Sequence, residues 1–121
     1  MNQELAKMFR TLAQKHRAVL QVFMKQHDIY LGQHRVLFRL EENPNITLTE
    51  LSEILEVSKE SLSVSVRRLE STGYIIKQVD EKDKRRTLLT LSDKGLNTSQ
   101  ACRRGFDEVN ASMFDGILQI M

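Results

Sequence analysis

A short basic segment, the expected tip of a β-hairpin, and the Ser- and Arg-rich segment before it carry the residue types that bind nucleic acid. The tip runs from Asp80 to Arg86 and contains four cations. Lys and Arg pair with phosphate oxygens, and Arg also pairs with the edge of guanine. The upstream segment, from Lys59 to Arg68, combines hydroxyls with cations in the same way. This combination predicts a surface that binds in a groove of DNA.

The charge distribution supports this interpretation. The whole chain carries a net charge of only +2. Residues 58–86 hold eight basic and five acidic side chains, whereas residues 1–57 are neutral and residues 87–121 carry a net charge of −1. All the positive excess therefore lies in the helix and tip. A local basic patch attracts polyanions through phosphate contacts and release of counterions.

The elements that position these residues follow from periodicity and capping signals. Apolar residues and two His recur every three or four positions over residues 5–27, which predicts a long amphipathic helix. A second, short helix stops at Asn43-Pro44. Thr47 and Glu50 form a capping-box pattern, which predicts the start of a third helix. Ser58 is expected to cap a fourth helix. The expected inward-facing residues are Leu51, Ile54 and Leu55 in the third helix and Leu62, Val66 and Leu69 in the fourth.

A hairpin and a last helix complete the order. Gly73 suits the left-handed position that ends the fourth helix. Residues 74–79 and 87–91 alternate as strands on either side of the basic tip. Ser92 is expected to cap a long final helix, in which Gly105 and Gly116 mark a kink or a close helix–helix contact.

The predicted fold is mainly α with a small β-hairpin wing, a winged helix-turn-helix flanked by two long terminal helices. We expect a single domain over residues 1–121, with the DNA-binding module in 32–91. Residues 1–30 and 92–121 are expected to be dimerisation helices, because they carry more apolar surface than the small central module covers.

Several short motifs in this order are typical of one family. They are Leu48-Thr49-Glu50-Leu51, Val57-Ser58, Arg68-Leu69-Glu70 followed by Gly73-Tyr74-Ile75, Asp83-Lys84-Arg85, and Leu89 to Gly95. The chain resembles the MarR (multiple-antibiotic-resistance regulator) family. The resemblance implies a homodimeric bacterial transcriptional regulator, often a repressor, that a small ligand or oxidation releases from its operator. It also implies that the fourth helix enters the major groove and that the wing Arg, here Arg85, enters the minor groove beside its acidic neighbour Asp83.

The chain departs from the family pattern in places. Members often carry Thr-Arg in the middle of the recognition helix, where this chain has Ser63-Val64, and Arg67 replaces a frequent Asp. A base preference therefore cannot be carried over from a relative. The family usually closes its dimer with a further helix after the fifth. We expect that the chain is truncated or that its first and last helices close the dimer alone.

The candidate DNA-binding residues occupy the fourth helix and the tip. The alternative for each helix residue is a solvated face, and for the tip it is a charged loop that keeps a sheet edge soluble. Asp83 is expected to orient an Arg, and Val64 is apolar enough to contact a thymine methyl. The helix candidates are Lys59, Ser61, Ser63, Arg67 and Arg68, and the tip candidates are Lys82, Lys84, Arg85 and Arg86.

Other features are weaker. Phe23, Tyr30 and Phe38 are expected near the junction where family members bind effectors, although aromatic residues at helical spacing are more often core. The three His lack metal-ligand spacing, and no cofactor is expected. Cys102 lies beside two Arg that would lower its pKa, but an inert thiol is the favoured interpretation.

The remaining function classes are less favoured. A winged helix that binds an acidic protein partner instead of DNA is the main alternative. No nucleophile–base pair or glycine-rich phosphate loop is present, so an enzyme is not expected. No apolar run is long enough to span a membrane and no signal peptide is evident, which together with the lone Cys favours the cytoplasm.

Overall fold

The computed structural model of the protein describes residues 2–30 and 32–120. Within them the chain forms five helices and two strands. The elements are α1 (Gln3–Gln26), α2 (Gln33–Glu42), α3 (Leu48–Leu55), α4 (Lys59–Ser71), β1 (Ile75–Val79), β2 (Thr87–Leu91) and α5 (Asp93–Ile120). This order confirms the predicted fold class, a mainly helical winged helix-turn-helix with a β-hairpin between long terminal helices.

The chain divides into two compact units. One unit comprises residues 32–100 and holds α2, α3, α4, the hairpin and the first turns of α5. The other comprises α1 with the residues that follow it and the part of α5 from residue 101 onward. We refer to them as the winged-helix unit and the terminal-helix unit.

Three predicted caps begin their helices. The Thr47 hydroxyl accepts from the Glu50 amide at 3.1 Å, and Glu50 reaches back to the Thr47 amide at 3.3 Å, which completes the capping box. Ser58 Oγ accepts from the Ser61 amide at 3.1 Å, and Ser92 Oγ accepts from the Gly95 amide at 3.0 Å. These hydroxyls satisfy amides that lack a partner within the helix, so α3, α4 and α5 begin where the sequence predicts.

The core of the winged-helix unit is built from the predicted inward faces, with one error. Ile54 was expected to point inward but is 43% exposed. The buried face of α3 instead includes Ser52, whose hydroxyl donates to the Thr49 carbonyl at 2.7 Å. Leu51, Ser52 and Leu55 lie on one side of this short helix, and Ile54 falls at its edge. The buried apolar residues of the unit are Val36, Leu37, Leu40, Leu51, Leu55, Leu62, Val66, Leu69, Tyr74, Ile75 and Leu89.

The wing is joined to the start of α3 by backbone pairing. The strands are antiparallel, with Ile75 opposite Leu91 and Val79 opposite Thr87. Ile46, which directly precedes the Thr47 cap, pairs with Leu89 through two hydrogen bonds of 2.7 and 3.3 Å. This bridge was not predicted, because one extended residue leaves no pattern in the sequence. It attaches β2 to the helix-turn-helix.

The beginning of α5 packs closely on the loop between α4 and β1. Gly73 has a φ of +88°, the left-handed conformation predicted for it. The Ser92 amide donates to the Tyr74 carbonyl at 3.1 Å, and the Lys94 ammonium lies 4.3 Å from the centre of the Tyr74 ring. A Cβ on Gly95 would overlap the Tyr74 carbonyl oxygen. Only glycine therefore allows this approach of helix to backbone.

The terminal-helix unit packs α1 against α5. A Cβ on Gly105 would overlap the ring of Phe23, so the expected close helix–helix contact occurs here. Phe23 also meets Phe106 edge to face, with 6.2 Å between ring centres. His16 Nε2 and Asn110 Oδ1 are 2.7 Å apart, which places that His in a polar contact between the two helices.

Candidate nucleic-acid interface

Helix α4 presents a polar face on the side opposite its core residues. With 3.6 residues per turn, Val64, Arg67 and Arg68 lie opposite Leu62, Val66 and Leu69. Arg67 and Arg68 are exposed, and Val64 is 61% exposed. Val64 shares this exposed face with the two Arg residues, and an apolar side chain there can contact a thymine methyl in a major groove.

The other helix candidates occupy different positions. Lys59 and Ser61 are exposed in the first turn of α4. Ser63 is half-buried and lines a cavity of about 230 Å³ together with Lys77 and Thr87. It therefore lies at the edge of the exposed face, beside the base of the wing. Its carbonyl accepts from Arg67 Nε at 3.4 Å.

Two acidic side chains shape the wing tip. Asp80 Oδ1 accepts from the Lys82 amide at 3.0 Å, and Asp83 Oδ1 accepts from the Arg85 amide at 3.1 Å. The Arg86 amide donates to the Asp83 carbonyl at 2.9 Å. These bonds fold the tip into successive turns, and Lys82 and Lys84 are both exposed on it.

Arg85 is the most accessible cation with a defined partner on the tip. Its side chain is 91% exposed, and its Nε and Nη2 lie 3.1 and 3.4 Å from the two oxygens of Asp83. The hydrogen bonds from Arg85 hold the pKa of Asp83 below its usual range. Asp83 therefore stays ionised at neutral pH and holds the guanidinium through two hydrogen bonds.

Arg86 is engaged within the chain. Its Nη2 lies 2.9 Å from Oε1 of Glu50, and its Nη1 lies 3.8 Å from Oδ2 of Asp80. The sequence grouped Arg86 with the phosphate-binding cations of the tip. The ion pair with Glu50 was not predicted, because the two residues are 36 positions apart.

The three candidate effector residues do not lie in one unit. Phe23 and Tyr30 belong to the terminal-helix unit and Phe38 to the winged-helix unit. Phe23 packs on His27 and Phe106, Phe38 meets His34 edge to face at 5.4 Å, and Tyr30 is exposed. A ligand pocket at these residues stays a prediction.

Cys102 is buried, and burial raises the pKa of its thiol to about 11. The two neighbouring Arg do not lower it, so the structure favours the inert thiol.

At pH 8 we expect the folded protein to react with a thiol reagent about a hundredfold more slowly than the urea-unfolded chain, since far less thiolate is present. Because the folded pKa is the higher one, this group stabilises the fold below about pH 9, and that contribution is lost as the pH rises toward 11. Equal labelling rates for the folded and unfolded chains would refute this.

The described residues offer neither a metal cluster nor a membrane span. Within residues 2–30 and 32–120, no group of three or more His, Cys, Asp or Glu side chains is placed to hold a metal ion. No helix in that part of the chain is long and apolar enough to cross a bilayer.

The fold and the basic surface together define a winged helix-turn-helix protein. Residues 27–86 match the sequence model of the MarR family. This match, the helix-turn-helix regulators found among its relatives and the fold all agree with the resemblance that the motifs indicated. The chain belongs to the MarR family.

Relatives and solved structures extend this comparison. The chain is 30% identical over 87 residues to the uncharacterized HTH-type transcriptional regulator YybA of Bacillus subtilis strain 168, covering 72% of this chain and 58% of YybA. It spans about half the length of the curated relatives it matches. The structure of YusO from Bacillus subtilis is similar with a TM-score of 0.83 at 22% identity, covering 97% of this chain and 86% of YusO. A MepR variant of S. aureus bound to an oligodeoxyribonucleotide is similar with a TM-score of 0.77 at 22% identity, covering 92% and 82% of the two chains. At these identities the two structures establish the fold.

Proposed function

We propose that the protein is a transcriptional repressor that binds double-stranded DNA sequence-specifically as a homodimer. One observation carries the proposal. A single compact unit combines an exposed, cationic face of α4 with a wing tip whose Arg85 side chain projects into solvent. The similarity of the fold to a DNA-bound MepR variant supports the same conclusion.

The two surfaces have different roles in this proposal. Helix α4 enters the major groove, where Arg67 and Arg68 read base edges and Val64 contacts a thymine methyl. Lys59 and Ser61, in the first turn, bind the phosphates that flank the groove. Arg85 enters the adjacent minor groove, where a narrow A·T tract attracts a guanidinium. Lys82 and Lys84 add phosphate contacts on the wing.

The terminal-helix unit is the proposed dimerisation element. Both of its helices expose large apolar side chains that a second copy of the chain would cover. Two DNA modules related by a two-fold axis would then read a pseudo-palindrome with half-sites about one helical turn apart. The exposed apolar residues of this unit include Leu5, Met8, Phe9, Val19, Val22, Phe114 and Leu118.

We also propose that a small molecule releases the protein from its DNA site. A ligand bound beside Phe23 in the terminal-helix unit would act by favouring a dimer whose two modules no longer match the half-site spacing. Loss of the DNA complex on addition of an aromatic ligand, with full protection by mutation of Phe23, would support this step.

The test begins with selection of bound fragments from the source genome. We expect enrichment of a pseudo-palindromic site. Band-shift titration at several salt concentrations should show binding to that site at least a thousandfold tighter than to a scrambled duplex. Equal, steeply salt-dependent binding to both duplexes would contradict the proposal. No binding to either duplex would favour the alternative of a winged helix that binds an acidic protein.

A further inference from the structure

The ion pair between Arg86 and Glu50 lies where the wing meets the helix-turn-helix. Arg86 directly precedes β2, and Glu50 lies in the first turn of α3. Glu50 Oε1 accepts from Arg86 Nη2 at 2.9 Å, from the Thr47 hydroxyl at 2.9 Å and from the Thr47 amide at 3.3 Å. The carboxylate oxygen that closes the α3 capping box therefore also holds the wing.

This contact is the second attachment between the same two elements. The first is the backbone bridge between Ile46 and Leu89. Leu89 follows Arg86 by three residues, roughly 10 Å along an extended chain. The base of the hairpin is fixed by this bridge and by the buried side chains of Ile75 and Leu89, so the ion pair adds a point of attachment beside the tip, where it limits the motion of the tip.

Arg86 is held both through its backbone and through its guanidinium group. Its backbone amide donates to the Asp83 carbonyl, and its carbonyl accepts from the Asp80 amide at 2.9 Å. Its guanidinium lies between Glu50 and Asp80. Two carboxylates thus face one Arg, and a phosphate approaching it would be repelled by both. The adjacent Arg85 pairs with Asp83, and its side chain projects into solvent.

We propose that Arg86 is a positioning residue, which fixes the wing through Glu50 so that Arg85 reaches the minor groove, and that Arg86 itself does not contact phosphate. This inference rests on the proposed DNA-binding function. It assigns different roles to two neighbouring Arg residues that composition alone does not distinguish.

The sharpest variant is Glu50→Gln, because Gln can still close a capping box while the charge that holds Arg86 is lost. Removing an acid from a DNA-binding surface should strengthen binding if Arg86 contacts phosphate. If Arg86 positions the wing, Glu50→Gln should instead weaken operator binding, by roughly two- to fivefold. Glu53→Gln removes the same charge from an exposed position on α3 and serves as the matched control, with binding unchanged or slightly tighter.

Arg86→Gln gives a second, independent measurement. The slope of log K against log salt should stay at the wild-type value, since no phosphate contact is lost. A slope reduced in magnitude by about one would identify a direct phosphate contact and overturn the proposal. Binding by Glu50→Gln as tight as wild type, or tighter, would also overturn it. Thermal unfolding of each variant identifies any loss of affinity that is caused by unfolding.

Backbone ¹⁵N relaxation of the DNA-free protein separates this inference from the proposed function. Order parameters of the amides in residues 82–85 should fall in both Glu50→Gln and Arg86→Gln and stay unchanged in Glu53→Gln. Unchanged values in all three variants would refute the positioning role even if the operator binds. A wild-type protein that binds no specific DNA would refute the proposed function, while these order parameters would still decide whether the ion pair fixes the wing.

Discussion

Replacing Gly95 with Ala will destabilise the protein by about 3 kcal/mol, at the upper end of the cost of overpacking. A helical Gly→Ala change ordinarily stabilises, because Ala loses less backbone entropy on folding. Here the added Cβ would overlap the Tyr74 carbonyl oxygen. Since that oxygen belongs to backbone and accepts a hydrogen bond from Ser92, it cannot move aside without breaking the contact between α5 and the loop before β1.

The same helix offers a matched control. Gly116 has open space around it among the described residues, so Gly116→Ala should stabilise by about 0.5–1 kcal/mol. Urea unfolding followed by circular dichroism, at one fixed protein concentration, measures both changes. A higher midpoint for Gly95→Ala as well as for Gly116→Ala would show that the approach of α5 to Tyr74 is looser than described.

Replacing Arg85 with Ala will weaken operator binding by about 10- to 100-fold, in line with the loss of one well-placed Arg contact. The side chain is exposed and already oriented by Asp83, so its removal leaves the fold intact. The loss should be largest on sites with a narrow A·T tract beside the half-site, because such a tract attracts a guanidinium most strongly. Band-shift titration on paired duplexes with and without the tract measures this dependence.

Two controls define the result. Arg104→Ala removes the same charge from an exposed position on α5, in the other unit, and should change affinity little. Lys84→Ala should weaken binding uniformly across sequences and reduce the salt slope by about one. If Arg85→Ala behaves like Lys84→Ala on every duplex, the wing binds only phosphate and the minor-groove assignment is wrong.

The features that the sequence predicted well depend on residues close together along the chain. Thr47, Ser58 and Ser92 each satisfy an amide three residues away, so the cap and its helix lie within one short motif. Glycine is favoured at position 73 because the local backbone has a positive φ there. The inward face of α4 follows from helical periodicity alone.

The features that were missed depend on contacts between distant segments. Glu50 was recognised as half of a capping box, but its second partner lies 36 residues away. Ile46 pairs with β2 as a single residue, without the alternation that marks a strand. Ile54 is apolar and correctly spaced, yet α3 turns Ser52 toward the core instead. Tertiary packing decided each case, and no local pattern records it.

The acids of the wing tip have a consequence for the search for an operator in a genome. Residues 80–86 contain four bases and three acids, a net charge of only +1. Sequence-indifferent attraction to DNA grows with the number of phosphates that a protein neutralises, and a genome presents millions of competing sites. If the protein binds DNA as proposed, a tip whose Arg residues are paired within the chain would be weakly retained by random DNA. The fraction of such a regulator that is bound at non-specific sites would therefore be smaller than the four cations of its wing tip suggest.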